Sequence, residues 1–417
     1  MKYFFPDSQD TVDPSFDFET ETRSIERVRQ RDDKYAHEVF STPAYDGLLV
    51  SKGVVDGISG SSGKYTLAQR HRLYRVGARE FFRTDSLPII GDCGAFTYVR
   101  EEYPPYSVEE VLAFYLDCGF DYGISVDHII LAYQPKFDDI SSIQNEDIGD
   151  HLKRQEITLQ LASEFLNIHR SQNLRFEPLG VAQGWSPKSY SVSVAALQDM
   201  GYKYIALGGM VPLKTIDILS CLEAIDEVRK CETKFHLLGV TRVESIPEFE
   251  SYGVASFDST SPLMQAFKDD RDNYYTLDRT YTAIRVPQVS ANPQLLRKIK
   301  SGQVSQDTAR ELEKAALEGL KQFDADKYSL ENTLDAVDEY DKFCDPRKNH
   351  REIYREVLTD RPWKNCSCDV CQRLGYQVIL FRGAERNRRR GFHNVWTFYR
   401  RLQNVFGLLE DAEFSLI

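Results

Sequence analysis

Short apolar segments rich in β-branched and aromatic residues alternate with longer amphipathic segments through most of the chain. Between the apolar segments, hydrophobic residues recur at the three-to-four-residue spacing of a helix packed on a core. The predicted strands are 45–54, 88–91, 122–126, 176–181, 204–207, 235–240 and 254–257, and the predicted helices are 66–82, 107–118, 148–170, 186–200 and 213–230. Strands alternating with helices of this length predict a parallel sheet covered by helices.

The number of strands indicates how the sheet ends. Seven strands, with an eighth predicted at 377–381, favour a closed (β/α)8 (TIM) barrel over an open doubly wound sheet. Residues 294–344 interrupt the alternation with a Lys-, Glu-, Ala- and Leu-rich pattern typical of helices. We therefore expect a barrel with an irregular N-terminal extension in 1–290, a helical insertion in 291–345, and a C-terminal subdomain in 346–417 that includes the last strand and helix of the barrel.

A cluster of thiols marks the C-terminal subdomain. Cys366, Cys368 and Cys371 lie within six residues, and His393 follows on the next predicted helix. Three thiolates and one imidazole form the tetrahedral ligand set of a structural Zn²⁺ site, because four protein ligands leave no open position. The alternative is a group of incidental or redox-active thiols. The basic segment 382–390 lies between these ligands, and it is either a phosphate-binding surface or a solvated charged face.

Composition narrows the class of protein. The chain has 417 residues, of which 41% are hydrophobic, so it can bury a sizeable core. It contains no apolar run near the ~20 residues that span a membrane, and its first residues do not resemble a signal peptide. The other five cysteines are scattered, which is typical of a reducing compartment and predicts a cytoplasmic protein. A net charge of −12 argues against nonspecific nucleic-acid binding, except through a local basic face such as 382–390.

Polar residues and glycines follow the predicted strands, where the chemistry of such barrels collects. Each has a structural alternative: an aspartate after a strand often caps a helix, His128 is more typical of a structural histidine, and His236 can simply hold a loop. Together they offer close backbone approach and a pattern of donors and acceptors suited to a flat heterocycle. The segments are Gly-Asp-Cys-Gly-Ala-Phe at 91–96, Asp-His at 127–128, Gln-Gly at 183–184, Gly-Gly at 208–209, His-Leu-Leu-Gly at 236–239 and Phe-Asp at 257–258.

With the thiol cluster, these strand ends resemble the tRNA-guanine transglycosylase superfamily. Its members are (β/α)8 barrels with a C-terminal Cys-x-Cys-x2-Cys…His zinc subdomain, and the resemblance runs from about Asp92 to His393. It implies that Asp258 is the nucleophile and Asp92 the general acid/base, with Phe96 and Leu238 on the two faces of the base. It further implies that the heterocycle is contacted by Asp127, Gln183, Gly184, Gly208 and Gly209.

Within this superfamily the chain looks most like the DNA-guanine transglycosylases of bacterial and phage 7-deazaguanine DNA-modification systems. The opening Phe-Pro-Asp-Ser-Gln-Asp is similar to that branch. The arginine-rich loop that follows the nucleophile in the tRNA enzymes is absent from 259–270. In addition, Lys214 stands where those enzymes carry a glutamate suited to an aminomethyl cation.

The resemblance implies exchange of a single-stranded or flipped guanine in DNA for 7-cyano-7-deazaguanine (preQ0), together with helper proteins and without a membrane. One alternative is the same exchange on tRNA. A second is a catalytically silent nucleic-acid-binding subunit, against which the presence of both Asp92 and Asp258 argues.

Overall fold

A closed barrel of eight parallel strands is present in the computed structural model, which describes residues 1–58, 61–138, 148–268 and 271–407. The strands are β1 (Lys2–Pro6), β2 (Gly47–Ser51), β3 (Ile89–Asp92), β4 (Tyr122–Ile124), β5 (Glu177–Ala182), β6 (Tyr204–Leu207), β7 (Lys234–Leu237) and β8 (Val254–Asp258). Around the barrel the order is β1, β8, β7, β6, β5, β4, β3, β2 and back to β1. The predicted fold class is therefore confirmed.

The strand predicted at 377–381 to close the barrel is wrong. Gly375–Ile379 is a 3-10 turn, and Leu380–Phe381 pairs with Ile284–Arg285 in a separate two-stranded sheet. The barrel is closed by β1, which pairs with β8 on one side and with β2 on the other. The physical reason is burial: β1 carries three successive aromatic residues, which are at most 5% exposed. Opposite Phe4, Gly47 has no side chain, and a Cβ there would lie 2.4 Å from the Phe4 ring.

Helices cover the barrel at the places that the hydrophobic pattern predicts. The predicted helices after the strands are observed as Leu67–Phe82, Val108–Cys118, Gly149–Ser171, Pro187–Met200 and Thr215–Asp226. A further short helix, Ile246–Ser251, was not predicted. Local chemistry fixes their ends: Ser107 accepts a hydrogen bond from the Glu110 N–H, and the Glu110 carboxylate accepts one from the Ser107 N–H. The same helix ends at Gly119, whose φ of 69° suits glycine.

The barrel interior is filled by side chains. A buried cluster contains Phe4, Leu49, Ile90, Ile124, Leu179, Val181, Tyr204 and Ala206, so the interior is a packed core and not a channel. Leu238 packs against this cluster from the end of β7. A ligand must therefore bind above the core, at a mouth of the barrel.

The chain divides into two compact units, Met1–Gln9 with Tyr45–Thr260, and Asp10–Ala44 with Ser261–Ile417. The first unit contains the barrel, and in the second the 294–344 region is helical, as predicted. Residues 408–417 of the predicted C-terminal subdomain and 269–270 of the loop after Asp258 lie outside the described residues. Helices of the second unit are Ala36–Val39, Ser261–Gln265, Pro293–Lys300, Gln306–Asp324, Leu330–Cys344, Arg351–Asp360, Asp369–Leu374 and Gly383–Val405.

The remaining elements are short. Lys52–Asp56 is a helix directly after β2, and Gly57–Ile58 pairs with Ser61–Ser62. In the second unit, Tyr274–Tyr275 pairs with Thr280–Tyr281. None of the helices within the described ranges is long and apolar enough to cross a membrane.

Candidate active site

The polar residues predicted at strand ends lie at one mouth of the barrel, because all eight strands are parallel and their carboxyl ends meet there. Asp92 and Asp258 are the last residues of their strands. Each of the remaining residues given below lies within three residues after the end of a strand. The structure thus brings together Asp92 on β3, Asp127 after β4, Gln183 and Gly184 after β5, Gly208 and Gly209 after β6, Leu238 after β7, and Asp258 on β8.

The Asp258 carboxylate is held by two donors. Its Oδ1 accepts a hydrogen bond from the Gly239 N–H at 3.0 Å and lies 3.2 Å from Nε2 of His236. The residue is 7% exposed. Both donors bind the same oxygen, so among the described residues Oδ2 has no protein donor. A buried carboxylate fixed through one oxygen presents the other as a nucleophile.

Asp92 is the carboxyl group best suited to carry a proton. Burial is the largest effect that raises the pKa of Asp92, and the negative charges of Asp127 and Asp258 raise it further, to about 7. Hydrogen bonds from the Ser51 hydroxyl and the Gly94 N–H lower this pKa and offset part of the rise. Ser51 ends β2 directly opposite Asp92 in the parallel register. A carboxyl group with a pKa near neutrality can both donate and accept a proton at the working pH.

Asp127 belongs to a buried group of hydrogen bonds. Its Oδ2 accepts from Nε2 of Gln183 at 2.6 Å, and its Oδ1 accepts from the Cys93 thiol at 3.1 Å. The Tyr98 hydroxyl donates to the Cys93 sulfur at 3.0 Å, and Oε1 of Gln183 accepts from the Ile130 N–H at 3.2 Å. Burial raises the pKa of Asp127 to about 6. The amide and carboxylate are therefore fixed in orientation and offer donors and acceptors to a base edge.

Two of the glycines are required by close contacts. A Cβ on Gly208 would lie 2.2 Å from Nε2 of Gln183. Gly209 has a φ of 74°, and a Cβ there would lie 2.3 Å from the carbonyl oxygen of Ile130. Any side chain at either position would push on the Gln183 amide or its support, so glycine keeps this wall of the mouth flat.

The two apolar residues predicted to sandwich the base differ in exposure. Phe96 lies on the 3-10 turn Ala95–Tyr98 directly after Asp92 and is 53% exposed, whereas Leu238 is partly buried. An exposed ring beside a cluster of polar groups is free to stack on a planar ligand.

Two other residues singled out by the sequence lie in supporting or exposed positions. His128 is buried, with its ring nitrogens 2.9 Å from the Glu101 carbonyl oxygen and 2.8 Å from Nη1 of Arg154, which fits the structural alternative. Lys214 is exposed at the N-cap of Thr215–Asp226.

The sequence interpretation missed the residues that support the three carboxylates. Ser51 and Tyr98 were not singled out, Cys93 was noted only as part of a motif, and His236 was given only a loop-holding alternative. The available signal was polar residues at buried strand positions: His236 on β7 and Ser256 on β8 are at most 1% exposed. A buried polar side chain needs a hydrogen-bond partner, and the hydrogen bonds of Ser256 and His236 connect to Asp258 at the mouth of the barrel.

The predicted metal ligands meet in the second unit. The Sγ atoms of Cys366, Cys368 and Cys371 and Nδ1 of His393 all lie within 4.8 Å of one another. The three Sγ–Nδ1 distances are 3.7, 3.4 and 3.4 Å. Zn–S and Zn–N bonds of ~2.3 and ~2.05 Å at a tetrahedral angle place sulfur and nitrogen about 3.6 Å apart. The four residues can therefore hold a metal ion.

Neighbouring tyrosines fix the imidazole of this cluster. Nε2 of His393 donates to the Tyr275 carbonyl oxygen at 2.7 Å, which directs the lone pair of Nδ1 toward the thiols. The His393 ring also stacks on Tyr274 at 4.2 Å, and the Tyr274 hydroxyl lies 3.3 Å from the Cys371 sulfur. The ligand is thus oriented before any ion binds.

Four of the five arginines of the basic segment 382–390 lie neither on a phosphate-binding surface nor on a solvated face, so both interpretations are corrected for them. Arg382, Arg386, Arg389 and Arg390 are all buried. Arg382 binds Glu21 and Glu313, and Arg386 binds Glu21. Arg389 binds Glu385. These arginines lie on or next to Gly383–Val405, and Arg382, Arg386 and Arg389 are paired with carboxylates inside the second unit.

Arg390 is the most deeply buried residue of that segment, at 0% exposure. Its guanidinium donates to the carbonyl oxygens of Val378, Leu380 and Ala266 and to Oδ1 of Asn387. Burial lowers its pKa to about 9. It therefore fixes several chain segments and is not available to a phosphate.

Comparison with known proteins gives one strong relative. The chain is 54% identical over 416 residues, 99% of each chain, to a DNA-guanine transglycosylase of Salmonella montevideo. No family model matches the chain.

Proposed function

Because this chain belongs to the DNA-guanine transglycosylase family, we propose that it exchanges guanine in DNA for 7-cyano-7-deazaguanine through a covalent intermediate on Asp258. A protein of this family is a base-exchange enzyme of the glycosyltransferase type. The observation that carries the finer proposal is the pairing at one mouth of two different carboxyl groups. Asp258 is fixed by two donors to one oxygen, and the pKa of Asp92 is raised to about 7.

In the first half of the reaction, Oδ2 of Asp258 forms a bond to C1′ of the deoxyguanosine as the bond from C1′ to N9 breaks. Asp92 gives its proton to the departing guanine. In the second half, the Asp92 carboxylate takes the N9 proton of the incoming base, whose N9 attacks C1′ and expels Asp258. Two inversions give net retention, as in retaining glycosidases.

Base recognition is proposed for the remaining residues of the mouth. The Asp127 carboxylate can accept the two N–H groups on the edge of a guanine-like base, and the Gln183 amide can contact its carbonyl oxygen. Gly208 and Gly209 let the ring approach the backbone, and Phe96 stacks on it. The target base must leave its stack to enter the mouth, so the substrate is single-stranded or flipped DNA.

DNA and the nitrile base are supported to different degrees. The 54% identical relative is a DNA-guanine transglycosylase, which supports DNA as the polymer, whereas the choice of the nitrile base rests on the resemblance seen in the sequence. Lys214, whose charge would oppose an aminomethyl cation, is exposed at a helix N-cap and adds no support to that choice. Four of the five arginines of the basic segment 382–390 are buried, so this segment adds no support for phosphate contacts.

The test is incorporation of radiolabelled 7-cyano-7-deazaguanine into single-stranded DNA, duplex DNA and tRNA, with unlabelled aminomethyl base as competitor. We expect label in DNA, none after Asp258→Ala, and a DNA–protein adduct stable to denaturation when the incoming base is withheld. Asp199→Asn is the matched control, because the Asp199 side chain is 79% exposed and pairs with Lys230. Label in tRNA alone, or normal exchange by Asp258→Ala, would contradict the proposal.

For the second unit we propose a structural zinc ion on Cys366, Cys368, Cys371 and His393. Four protein ligands complete the coordination sphere, so the ion would contribute folding free energy and no reaction step.

A further inference from the structure

We infer that His236 is a positioning residue for the Asp258 nucleophile, at the end of a buried relay that begins at Tyr204 and passes through Ser256. The inference rests on the proposed function, since it concerns the same carboxylate. It goes beyond that function because it assigns roles to three side chains that the exchange chemistry itself does not require.

The relay crosses three adjacent strands. The Tyr204 hydroxyl on β6 and the Ser256 hydroxyl on β8 are 2.5 Å apart, and Ser256 Oγ is 2.5 Å from Nδ1 of His236 on β7. Nε2 of the same ring is 3.2 Å from Oδ1 of Asp258. All four residues are buried, with His236 at 0% exposure. Water therefore does not compete for these hydrogen bonds, and their direction is decided by the groups themselves.

Only one arrangement of protons gives every donor an acceptor. Burial raises the pKa of Tyr204 to about 12, so its hydroxyl stays protonated. Its proton needs an acceptor, and among the described residues that acceptor is Ser256 Oγ, so Tyr204 donates to Ser256. The Ser256 hydroxyl then donates to Nδ1, which leaves the ring proton of a neutral His236 on Nε2, facing the Asp258 carboxylate. The opposite tautomer would point the Nε2 lone pair at the carboxylate oxygen, which is repulsive. The relay thus selects the tautomer that binds Asp258.

This tautomer has a consequence in both half-reactions. As C1′ bonds to Oδ2, Oδ1 becomes the carbonyl oxygen of the glycosyl ester and keeps the His236 and Gly239 donors. When the incoming base attacks, the same two hydrogen bonds stabilise the carboxylate that leaves. A donor fixed where charge reappears lowers the barrier without further reorganisation.

A purely structural role is the competing explanation, because the His236 ring also packs edge-on against Phe4 at 6.1 Å. The two explanations differ in what a substitution does. A packing role is kept by an apolar residue of similar size, whereas a positioning role is kept by a residue that returns an N–H group to the place of Nε2.

The first experiment compares His236→Leu with His236→Gln in steady-state exchange on single-stranded DNA. Loss of a hydrogen bond to a charged group predicts that His236→Leu lowers kcat on the order of 10- to 100-fold with little change in KM for DNA. His236→Gln should recover most of the loss, and Ser256→Ala should give an intermediate value. Wild-type kcat in His236→Leu, or equal loss in the folded Gln and Leu variants, would overturn the inference.

Wild-type protein and Asp258→Ala separate this inference from the proposed function. If the wild type does not exchange guanine in DNA, or if Asp258→Ala exchanges normally, the proposed function fails. The relay is then read without activity, from ¹⁵N-histidine NMR of the wild type, with His236 assigned by the signal changed in His236→Gln or Ser256→Ala. We expect a proton on Nε2 alone at neutral pH. A proton on Nδ1 alone, or on both nitrogens, would refute the relay whatever the activity.

Discussion

Glu21→Gln tests the corrected view of the basic segment, because the Glu21 carboxylate pairs with two of its arginines. The Glu21 carboxylate accepts from Nε and Nη2 of Arg382 at 2.6 and 2.7 Å, from Nη1 of Arg386, and from Nε2 of Gln288 at 2.6 Å. Glutamine has the same shape, so the substitution keeps the side-chain volume while it removes the charge and replaces one acceptor oxygen with an NH2 donor. The side chains of Arg382 and Arg386 are only 6% and 3% exposed.

The magnitude follows from the pKa of Glu21. Burial on its own raises this pKa, but the hydrogen bonds from Arg382 and Gln288 and the charges of Arg382 and Arg386 outweigh burial and lower it from 4.5 to about 2. Each unit of difference between the folded and unfolded pKa is worth about 1.4 kcal/mol. Allowing for partial exposure, we expect Glu21→Gln to reduce the free energy of unfolding by about 2–3 kcal/mol at pH 7.

The sign of the pH dependence follows from the lowered pKa. Stability from the Glu21 charge is fully present above the unfolded value of 4.5 and is lost as the pH falls toward the folded value of about 2. The difference between wild type and Glu21→Gln should therefore be constant from pH 7 to pH 5.5 and shrink below about 4.5.

The assay is urea unfolding followed by tryptophan fluorescence. In a Trp185→Phe background the remaining tryptophans, Trp363 and Trp396, both report on the second unit. Glu19→Gln is the matched control, because Glu19 lies two residues away but its side chain is 57% exposed in its pair with Lys321. Such a surface pair should contribute less than about 1 kcal/mol. A Glu21→Gln effect no larger than the Glu19→Gln effect would refute the neutralised-network interpretation.

Three further predictions concern the metal cluster and the mouth. Cys368→Ser, or a chelator, should lower the melting temperature and expose 346–407 to protease, and metal analysis of folded wild type should find one zinc per chain. The rate of exchange should fall as the pH rises above about 7, because Asp92 loses its proton. Single-turnover rates measured against pH should show this fall in the wild type and not in the weakly active Asp92→Asn. Gly208→Ala should raise KM for the incoming base about 10-fold or more, because its Cβ would lie 2.2 Å from Gln183, whereas Gly149→Ala, with nothing within 4 Å, should not.

The strand-end residues were predictable from the sequence because each strand can be recognised locally and all strands of a parallel barrel end at the same mouth. A parallel barrel places the residue after every strand at one mouth, so Asp92, Gln183 and Asp258 could be grouped once their strands were recognised. The thiol cluster was predictable for a similar reason, since its spacing alone brings Cys366, Cys368 and Cys371 within reach of one ion. In both cases neighbours in space follow from neighbours in sequence or from repeated topology.

The missed features depend on partners that are distant in the sequence. β1 is only five residues long and precedes a charged segment, and its strand identity depends on pairing with β8 more than 250 residues later. In the same way, a run of arginines is interpreted as an exposed charged surface unless the carboxylate that pairs with it is known. Glu21 lies 361 residues before Arg382, and no local pattern connects them.

The three carboxyl groups of the mouth illustrate why identical residue types at equivalent strand ends can take different roles. Asp127 is satisfied by Gln183 and Cys93, and Oδ1 of Asp258 by Gly239 and His236. Asp92 has two donors as well, but the charges of its two neighbours add to its burial and raise its pKa to about 7. Negative charges at one mouth repel one another, and a proton on Asp92, whose pKa is raised to about 7, relieves that repulsion. The proton needed to expel guanine would therefore reside on Asp92, where burial and the charges of both neighbouring carboxylates act together.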